Sequence, residues 1–170
     1  GDLTGTGISA DKKIQVIGGH NCTDVPFGVH YCDHLEESIP PRHSVGKSYI
    51  VSAPWIQGNQ VKGRIIRVTA LEDDTTLVYD PPQMRVDTHI AAAGDTIEIS
   101  QTDENFMVSS AKKILVTEYM TGQNAGGNTG DPAMAVAVPM GQYRREYLIH
   151  APVNYEANFV NIVAPTVATD

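Results

Sequence analysis

The chain consists largely of short runs in which β-branched and aromatic residues alternate with polar ones. Each run is bounded by turn-forming residues and has the length and composition of a β-strand. No window keeps a helical period of apolar residues over three turns. The pattern therefore predicts an all-β, antiparallel β-sandwich. The predicted strands are IQVIGG (14–19), SYIVSA (48–53), GRIIRVTAL (63–71), TTLVYD (75–80), TIEIS (96–100), FMVSS (106–110), KILVTEY (113–119), EYLIH (146–150) and FVNIVA (159–164).

Two single helical turns are expected between these strands. Asp33 opens the segment DHLEES and has Glu36 at the capping-box position. Asp131 opens the segment DPAMAV and is followed by Pro132, which is tolerated at the first helical position. We therefore predict Asp33 and Asp131 to be helix N-caps, a structural role.

The order of the runs repeats once along the chain. We infer an internal duplication of a unit of about 100 residues, with units at approximately 1–93 and 94–170 of a single domain. The second unit stops before a counterpart of TTLVYD, so we expect a fragment of a larger multidomain protein. An edge would then stay open or receive a strand from elsewhere. The matching blocks are 8–19 with 108–119, 33–40 with 131–139, KSYIVSAP (47–54) with REYLIHAP (145–152), and 63–76 with 158–170.

Size and charge narrow the classes of function. A chain of 170 residues suits one domain with a sizeable core. Its net charge is −8 and basic residues occur only in small pairs, which argues against binding along a nucleic-acid backbone. No apolar run is long enough to cross a bilayer. There is no signal peptide, so we expect a mature or excised segment that does not insert into a membrane.

The segment 19–41, GHNCTDVPFGVHYCDHLEESIPP, concentrates both cysteines and three of the six histidines. Cys22 and Cys32 lie in a polar loop where free thiols would be exposed, so we predict a disulfide and an oxidising compartment. Two buried thiols in a cytosolic domain are the alternative. Closing this loop should stabilise the fold by about 3 kcal/mol. Asn21 begins a sequon for N-glycosylation, a short and weakly specific pattern.

Metal ligands are present in the same segment, but not at a recognised spacing. His20, His30 and His34 could form a histidine–carboxylate zinc site, whereas zinc on both cysteines would exclude the disulfide. Calcium could use oxygen atoms of residues 71–74 and Asp80, although no EF-hand loop is present. The alternative is that the histidines bond local backbone and that 71–74 is a solvated hairpin tip. We expect no cofactor, with zinc or calcium as the minority hypothesis.

Patterns for catalysis are weak. Asp33 with Glu36 or Glu37 is the one dense carboxylate group, but its counterpart Asp131 has no acidic partner after it. The sequence has no G-x-S-x-G, and its glycine-rich run 122–130 lacks the ending of a phosphate-binding loop. We therefore expect a protein that is not an enzyme.

Aromatic and polar side chains near loops predict a binding surface. Tyr31 lies in the cysteine loop and Trp55 ends a strand, where each could contact a sugar or anchor a protein partner. The alternative for Trp55 is that it plugs one end of the core. We assign apolar contact to Tyr31 and Trp55, and polar contact to His30, His34 and Glu37. The glycine-rich loop 122–131 is expected beside them.

The cysteine segment, followed by a glycine–lysine pair and SYIVSAP, resembles the N-terminal domain family of the IgG Fc-binding protein. The resemblance runs from about residue 12 to residue 166, through GDPAM and NFVNIVAPT, and its most specific part is CDHLEESIPP. It departs at Lys13, where the family more often has proline. The resemblance implies an extracellular module of large secreted or surface proteins, and it brings no catalytic residues to this chain.

These observations predict a secreted or cell-surface binding or adhesion module whose partner is an extracellular protein or a glycan. Self-association is a further expectation, because an open strand edge can pair with another chain. The alternative function is structural: a repeat or subunit of a surface fibre or layer, assembled through strand edges.

Overall fold

The computed structural model describes residues 2–56, 58, 60–125, 127–154 and 156–166. Within these ranges the chain forms twelve β-strands and two short 3₁₀ helices, Gln123–Ala125 and Met140–Gln142, and all strand pairs are antiparallel. The all-β prediction is therefore confirmed. The strands are β1 (Ile17–Thr23), β2 (Asp33–Ser38), β3 (Ser48–Val51), β4 (Trp55–Ile56), β5 (Gln60–Val61), β6 (Arg64–Ala70), β7 (Thr75–Asp80), β8 (His89–Ile90), β9 (Thr96–Thr102), β10 (Phe106–Ser110), β11 (Ile114–Met120) and β12 (Ala133–Val136).

Two four-stranded sheets make up the body of the molecule. Their strand orders are β3-β10-β7-β8 and β12-β11-β6-β9, and the hairpins β1–β2 and β4–β5 are attached to them. One continuous core takes side chains from both sheets, including Tyr49 and Val108 from the first and Ile66 and Val116 from the second. The two sheets therefore pack face to face, as in a sandwich.

Alternation in the sequence explains which faces are buried. In β7, TTLVYD, the residues Thr75, Leu77 and Tyr79 are buried while their neighbours are exposed, as expected for a strand with one face on the core. Strand β6 is flanked by β11 and β9 and is buried at every residue but Arg67. Burying each large aliphatic side chain of these strands contributes roughly 1.5–3 kcal/mol of transfer free energy.

Tyr49 connects the two sheets through its hydroxyl group. The phenol donates a hydrogen bond to the carbonyl of Ile114 at 2.8 Å and accepts one from the amide of Gly46 at 2.8 Å. Burial raises the pKa of Tyr49, and the bond from Gly46 opposes that rise. The side chain thus remains a neutral donor and acceptor inside the core.

An ion pair between buried Arg64 and half-buried Glu118 joins β6 to β11. The guanidinium of Arg64 donates to the Glu118 carboxylate at 3.1 Å and to the carbonyls of Thr102 and Glu104 at 3.3 Å and 2.9 Å. Desolvation lowers the pKa of Arg64 and raises the pKa of Glu118, and their mutual attraction opposes both shifts. The charged groups of this pair are therefore both paired and hydrogen-bonded, as buried charges must be.

The two helical turns predicted after Asp33 and Asp131 are wrong. The segment DHLEES is strand β2, in which Asp33 is the first residue and pairs with Thr23 of β1. Asp131 precedes strand β12, which pairs with β11. Neither aspartate caps a helix, because hydrogen bonds to a neighbouring strand satisfy more backbone groups than one isolated helical turn does. No helix in the described part of the chain has both the length and the apolar character needed to span a bilayer.

The predicted strands EYLIH (146–150) and FVNIVA (159–164) are also absent: both stretches are irregular and largely exposed. A strand exists through hydrogen bonds to a neighbour, and within the described residues these stretches have no strand beside them. By contrast, each strand predicted before residue 121 is present, although β1 begins at Ile17 rather than at residue 14. Residues 167–170, which end the predicted second unit, lie outside the described ranges.

Candidate functional site

The predicted disulfide between Cys22 and Cys32 is confirmed. It joins β1 to β2 across the loop between them, with the two Cα atoms 5.1 Å apart. Thr23 pairs with Asp33 immediately beside the bridge, so strand pairing and the covalent link close the same loop. The loop thus has a covalently fixed base.

A small core of its own fixes the disulfide loop to the body of the molecule. Val25 from the loop and Leu35 from β2 are buried against Ile65 of β6, and Tyr119 and Met134 pack around them. Leu35 points inward because side chains alternate along β2, which leaves His34 and Glu36 on the outer face. The disulfide loop thereby packs on the outer face of the sheet β12-β11-β6-β9.

The glycine-rich loop lies beside the disulfide loop. The amide of Gly122 donates to the carbonyl of Val25 at 2.7 Å. A Cβ atom at position 122 would lie 3.0 Å from the carbonyl oxygen of Tyr31, tighter than nearly all real Cβ contacts. Glycine at this position allows the close approach of the two loops.

The hairpin β4–β5 is the third part of this region. Its next residue, Lys62, is buried and donates through Nζ to the carbonyl of Thr129 in the glycine-rich loop. Desolvation lowers the pKa of Lys62, and the nearby charge of Asp131 opposes the shift. Trp55, on β4, is 49% exposed and belongs to neither core cluster, so it does not plug the core. We call residues 22–32, 55–56, 60–61, 122–125 and 127–131 the loop face.

Phe27 is the most exposed aromatic side chain of the loop face, and sequence reasoning missed it. It sits at a turn closed by a hydrogen bond from the Val29 amide to the Pro26 carbonyl, with Gly28 in the left-handed region. Its side chain is 96% exposed and that of Tyr31 is 61% exposed. The signal was available, because Pro-Phe-Gly inside a disulfide loop places the aromatic residue at a turn tip.

The polar residues assigned to the binding surface do not all lie on the same side of the molecule. His30 and His34 are exposed, and Nε2 of His34 lies 3.1 Å from the Glu36 carboxylate. Glu37 is half-buried, on the side of β2 opposite to His34. It lines a shallow groove with Pro40, Ser44 and other residues, away from the loop tip. The structure therefore groups His30 and Tyr31 with Phe27 and separates Glu37 from them.

Two of the three histidines proposed as metal ligands, His20 and His34, make hydrogen bonds to nearby residues of their own strands. Nδ1 of His20 accepts the amide of Cys22 at 3.1 Å, and His34 lies against Glu36. Across residues 2–56, 58, 60–125, 127–154 and 156–166, no group of three His, Cys, Asp or Glu side chains could hold a metal ion. His20, His30 and His34 therefore do not converge on one point.

At the hairpin tip 71–74, backbone oxygen atoms that were candidate calcium ligands bond the ammonium group of a lysine instead. Nζ of Lys112 donates to the carbonyls of Asp73 and Asp74, at 2.7 Å each. The Asp74 carboxylate pairs with His89 at 2.9 Å, and this hydrogen bond lowers the pKa of Asp74. Oxygen atoms that a calcium ion would need already interact with positively charged or hydrogen-bonding side chains.

The loop face therefore has the properties of a surface for recognition. It presents large apolar side chains to solvent, and its base is held by a disulfide, a small core and hydrogen bonds between loops. Exposed aromatic groups on a fixed support are typical of sites that bind another molecule.

Comparison with known proteins supports the resemblance seen in the sequence. The family model described as IgGFc binding protein matches residues 1–170, the whole chain. Neither the curated proteins nor the solved structures give a match. Because the family model covers the full length, the chain belongs to the IgGFc-binding protein family.

Proposed function

We propose that the protein is an extracellular binding module whose loop face recognises a protein partner. The observation that carries this proposal is the exposure of Phe27 and Tyr31 on a loop whose base is fixed. Aromatic side chains in such positions supply large contact area with little loss of conformational entropy on binding. The loop face then acts through a rigid support with an apolar tip.

The family and the disulfide indicate an extracellular protein with a protein partner. The family description names the Fc part of immunoglobulin G, and we carry over to this chain only a protein ligand of the extracellular space. Secretion or display at the cell surface, and a role in adhesion, belong to the same proposal. A glycan ligand is the competing possibility that the experiment below tests.

We propose binding rather than catalysis as the activity of this chain. The three histidines in and around the disulfide loop are arranged separately, and none of His20, His30 and His34 contacts another of the three in the hydrogen bonds of the described residues. Catalysis by acid and base groups needs them to converge on one substrate. The aromatic tip, in contrast, needs only a complementary surface on the partner.

A binding screen with matched variants tests the proposal. The whole chain is immobilised and exposed to a panel of extracellular proteins that includes IgG Fc, and separately to a glycan array. We expect a protein ligand whose Kd weakens at least tenfold for Phe27→Ala, because a central exposed aromatic residue is the typical hot spot. Met84→Ala is the control, since Met84 is exposed on a different loop. A glycan ligand alone, or equal affinity of the two variants, would contradict the proposal.

A second candidate function, assembly through strand edges, is favoured by the stretches 146–150 and 159–164. We propose that these stretches are duplicated copies of β3 and β6. They carry strand-forming sequence and expose apolar side chains to solvent. Exposed strand sequence of this kind tends to pair with the edge of another sheet. The assembly function uses a part of the molecule other than the loop face.

A further inference from the structure

The stretch 145–152 has the same pattern of apolar and polar residues as the segment that forms β3. REYLIHAP aligns with KSYIVSAP, so Tyr147 corresponds to Tyr49 and Ile149 to Val51. In β3 both inward-facing residues are fully buried, whereas Tyr147 is 69% exposed and Ile149 is also exposed. The same sequence pattern is therefore buried in one place and in contact with solvent in the other.

The stretch 159–164 repeats the pattern of β6 in the same way. FVNIVA aligns with IIRVTA (65–70), so Val160 corresponds to Ile66 and Ile162 to Val68. Ile66 and Val68 are fully buried in the centre of a sheet, and Ile162 is 83% exposed. A side-chain hydrogen bond, from Asn161 to the carbonyl of Ala53 at 3.0 Å, connects this stretch to the sandwich. Exposed strand-forming sequence of this kind is suited to adding to the edge of a sheet.

Strand β9 offers the acceptor edge. It is the outermost strand of its sheet and pairs with β6 alone in the described part of the chain. Its inner face carries Ile97 and Ile99, which pack on the core. The strand is TIEISQT and contains neither lysine nor proline. A bulge at Gln101, whose φ is 50°, interrupts its pairing with β6 after Ile99, so the regular edge is the part 96–99. On its paired side β9 already lies beside IIRVTA of β6, the segment with which FVNIVA aligns.

The other edges of the two four-stranded sheets are covered or short. The 3₁₀ helix Met140–Gln142 lies against β3. Strand β12 packs against β2, and β8 has only two residues. Among the edge strands of the two four-stranded sheets, as far as the chain is described, β9 is therefore the longest without such cover.

We propose that residues 159–164 of one copy add as a strand to the free edge of β9 in a second copy of this chain. The inference rests on the duplication and the assembly function proposed above, and it names the donor and the acceptor. Because donor and acceptor are different parts of the chain, the contact is heterologous and produces a closed ring or an open filament. Val160 and Ile162 then extend the apolar face that Ile97 and Ile99 begin.

The donor is tested by light scattering of the whole chain over a range of protein concentrations. We expect the mass of the wild-type protein to rise with concentration, and Ile162→Asp to remain monomeric. Val153→Asp is the matched control, because Val153 is 93% exposed and lies between the two copied stretches. It should associate as the wild type does. Ile162 is outside both cores, so its substitution leaves folding intact.

The acceptor is tested at Glu98, near the middle of β9. The amide of Ala70 bonds the carbonyl of Asp95, so the alternation of an antiparallel ladder directs the amide of residue 98 towards the free edge. Glu98→Pro removes this donor and should prevent association. Glu98→Ala loses the same ion pair with Arg67 but keeps the amide, and should associate normally. Circular dichroism checks that both variants are folded.

The outcomes separate the inference from the function on which it rests. A wild-type chain that is monomeric at every concentration would overturn the assembly function and the strand donation together. Association that survives Ile162→Asp would leave the assembly function standing and show that strand donation is wrong. Hydrogen exchange supplies a second readout, because association should slow exchange of the amides of 159–164 and of β9 together.

Discussion

Removing the disulfide should destabilise the protein and loosen the proposed binding loop. The variant replaces both Cys22 and Cys32 with alanine. The sequence separation of the two cysteines is 10, so the bridge closes a short loop. With about eleven residues in the loop, the chain-entropy model gives about 9 cal/mol/K, which is about 3 kcal/mol at 25 °C.

The loss of stability should be concentrated in the β1–β2 hairpin. Apart from the bridge, the hairpin is held by strand pairing and by the small core around Val25 and Leu35. That core is separate from the main one, so the hairpin can open while the sandwich stays folded. We therefore expect faster hydrogen exchange in β1 and β2 than in β6 and β11.

Urea unfolding monitored by circular dichroism measures the loss of unfolding free energy of the whole domain. Hydrogen exchange followed by mass spectrometry measures the local opening of the β1–β2 hairpin. The wild-type protein with its bridge reduced and alkylated is the control, because it lacks the cross-link but keeps the native sequence. Agreement between the two proteins assigns the effect to the cross-link. The reasoning is refuted if the double variant keeps wild-type exchange rates in the hairpin and also loses less than about 1 kcal/mol of unfolding free energy.

Three further predictions concern the support of the site and the ion pairs. Leu35→Ala should lower the unfolding free energy by about 2–5 kcal/mol, measured in urea, because it leaves a cavity beneath the loop; a loss under about 1 kcal/mol would contradict this. Arg64→Met should cost more stability than Glu118→Gln in the same assay, because Arg64 also satisfies two backbone carbonyls; the reverse order would refute the argument. Asp74→Asn should reduce stability above the ordinary aspartate pKa of 3.8, and the difference should vanish as the pH falls through the lowered pKa of Asp74; a difference that grows on acidification would contradict the ion pair with His89.

Part of the candidate site could be read from the sequence. The two cysteines are the whole complement of the chain and share one polar loop, which is why their pairing was predictable. Exposure of Tyr31 followed from its place in that loop. The exposure of Phe27 could have been predicted in the same way and was missed. Nothing in the local sequence around Lys62 predicts that this lysine is buried. The burial of Lys62 depends on the glycine-rich loop, far away in the sequence, whose Thr129 carbonyl accepts a hydrogen bond from it.

The sequence by itself determined the class of the fold and most of the strands. Alternation such as that of TTLVYD is a local property, and it identifies the inward face of a strand wherever a neighbour is available. Membership of the family is likewise carried by the order of residues along the whole chain.

Only the tertiary structure decided which strand-like stretches become strands. DHLEES has a local signal for a helical turn, yet it pairs with β1 and becomes β2. FVNIVA has a strand signal, yet it is irregular because no strand lies beside it in the described part of the chain. The physical reason is that a helical turn forms its hydrogen bonds within one segment, whereas a strand must receive them from another.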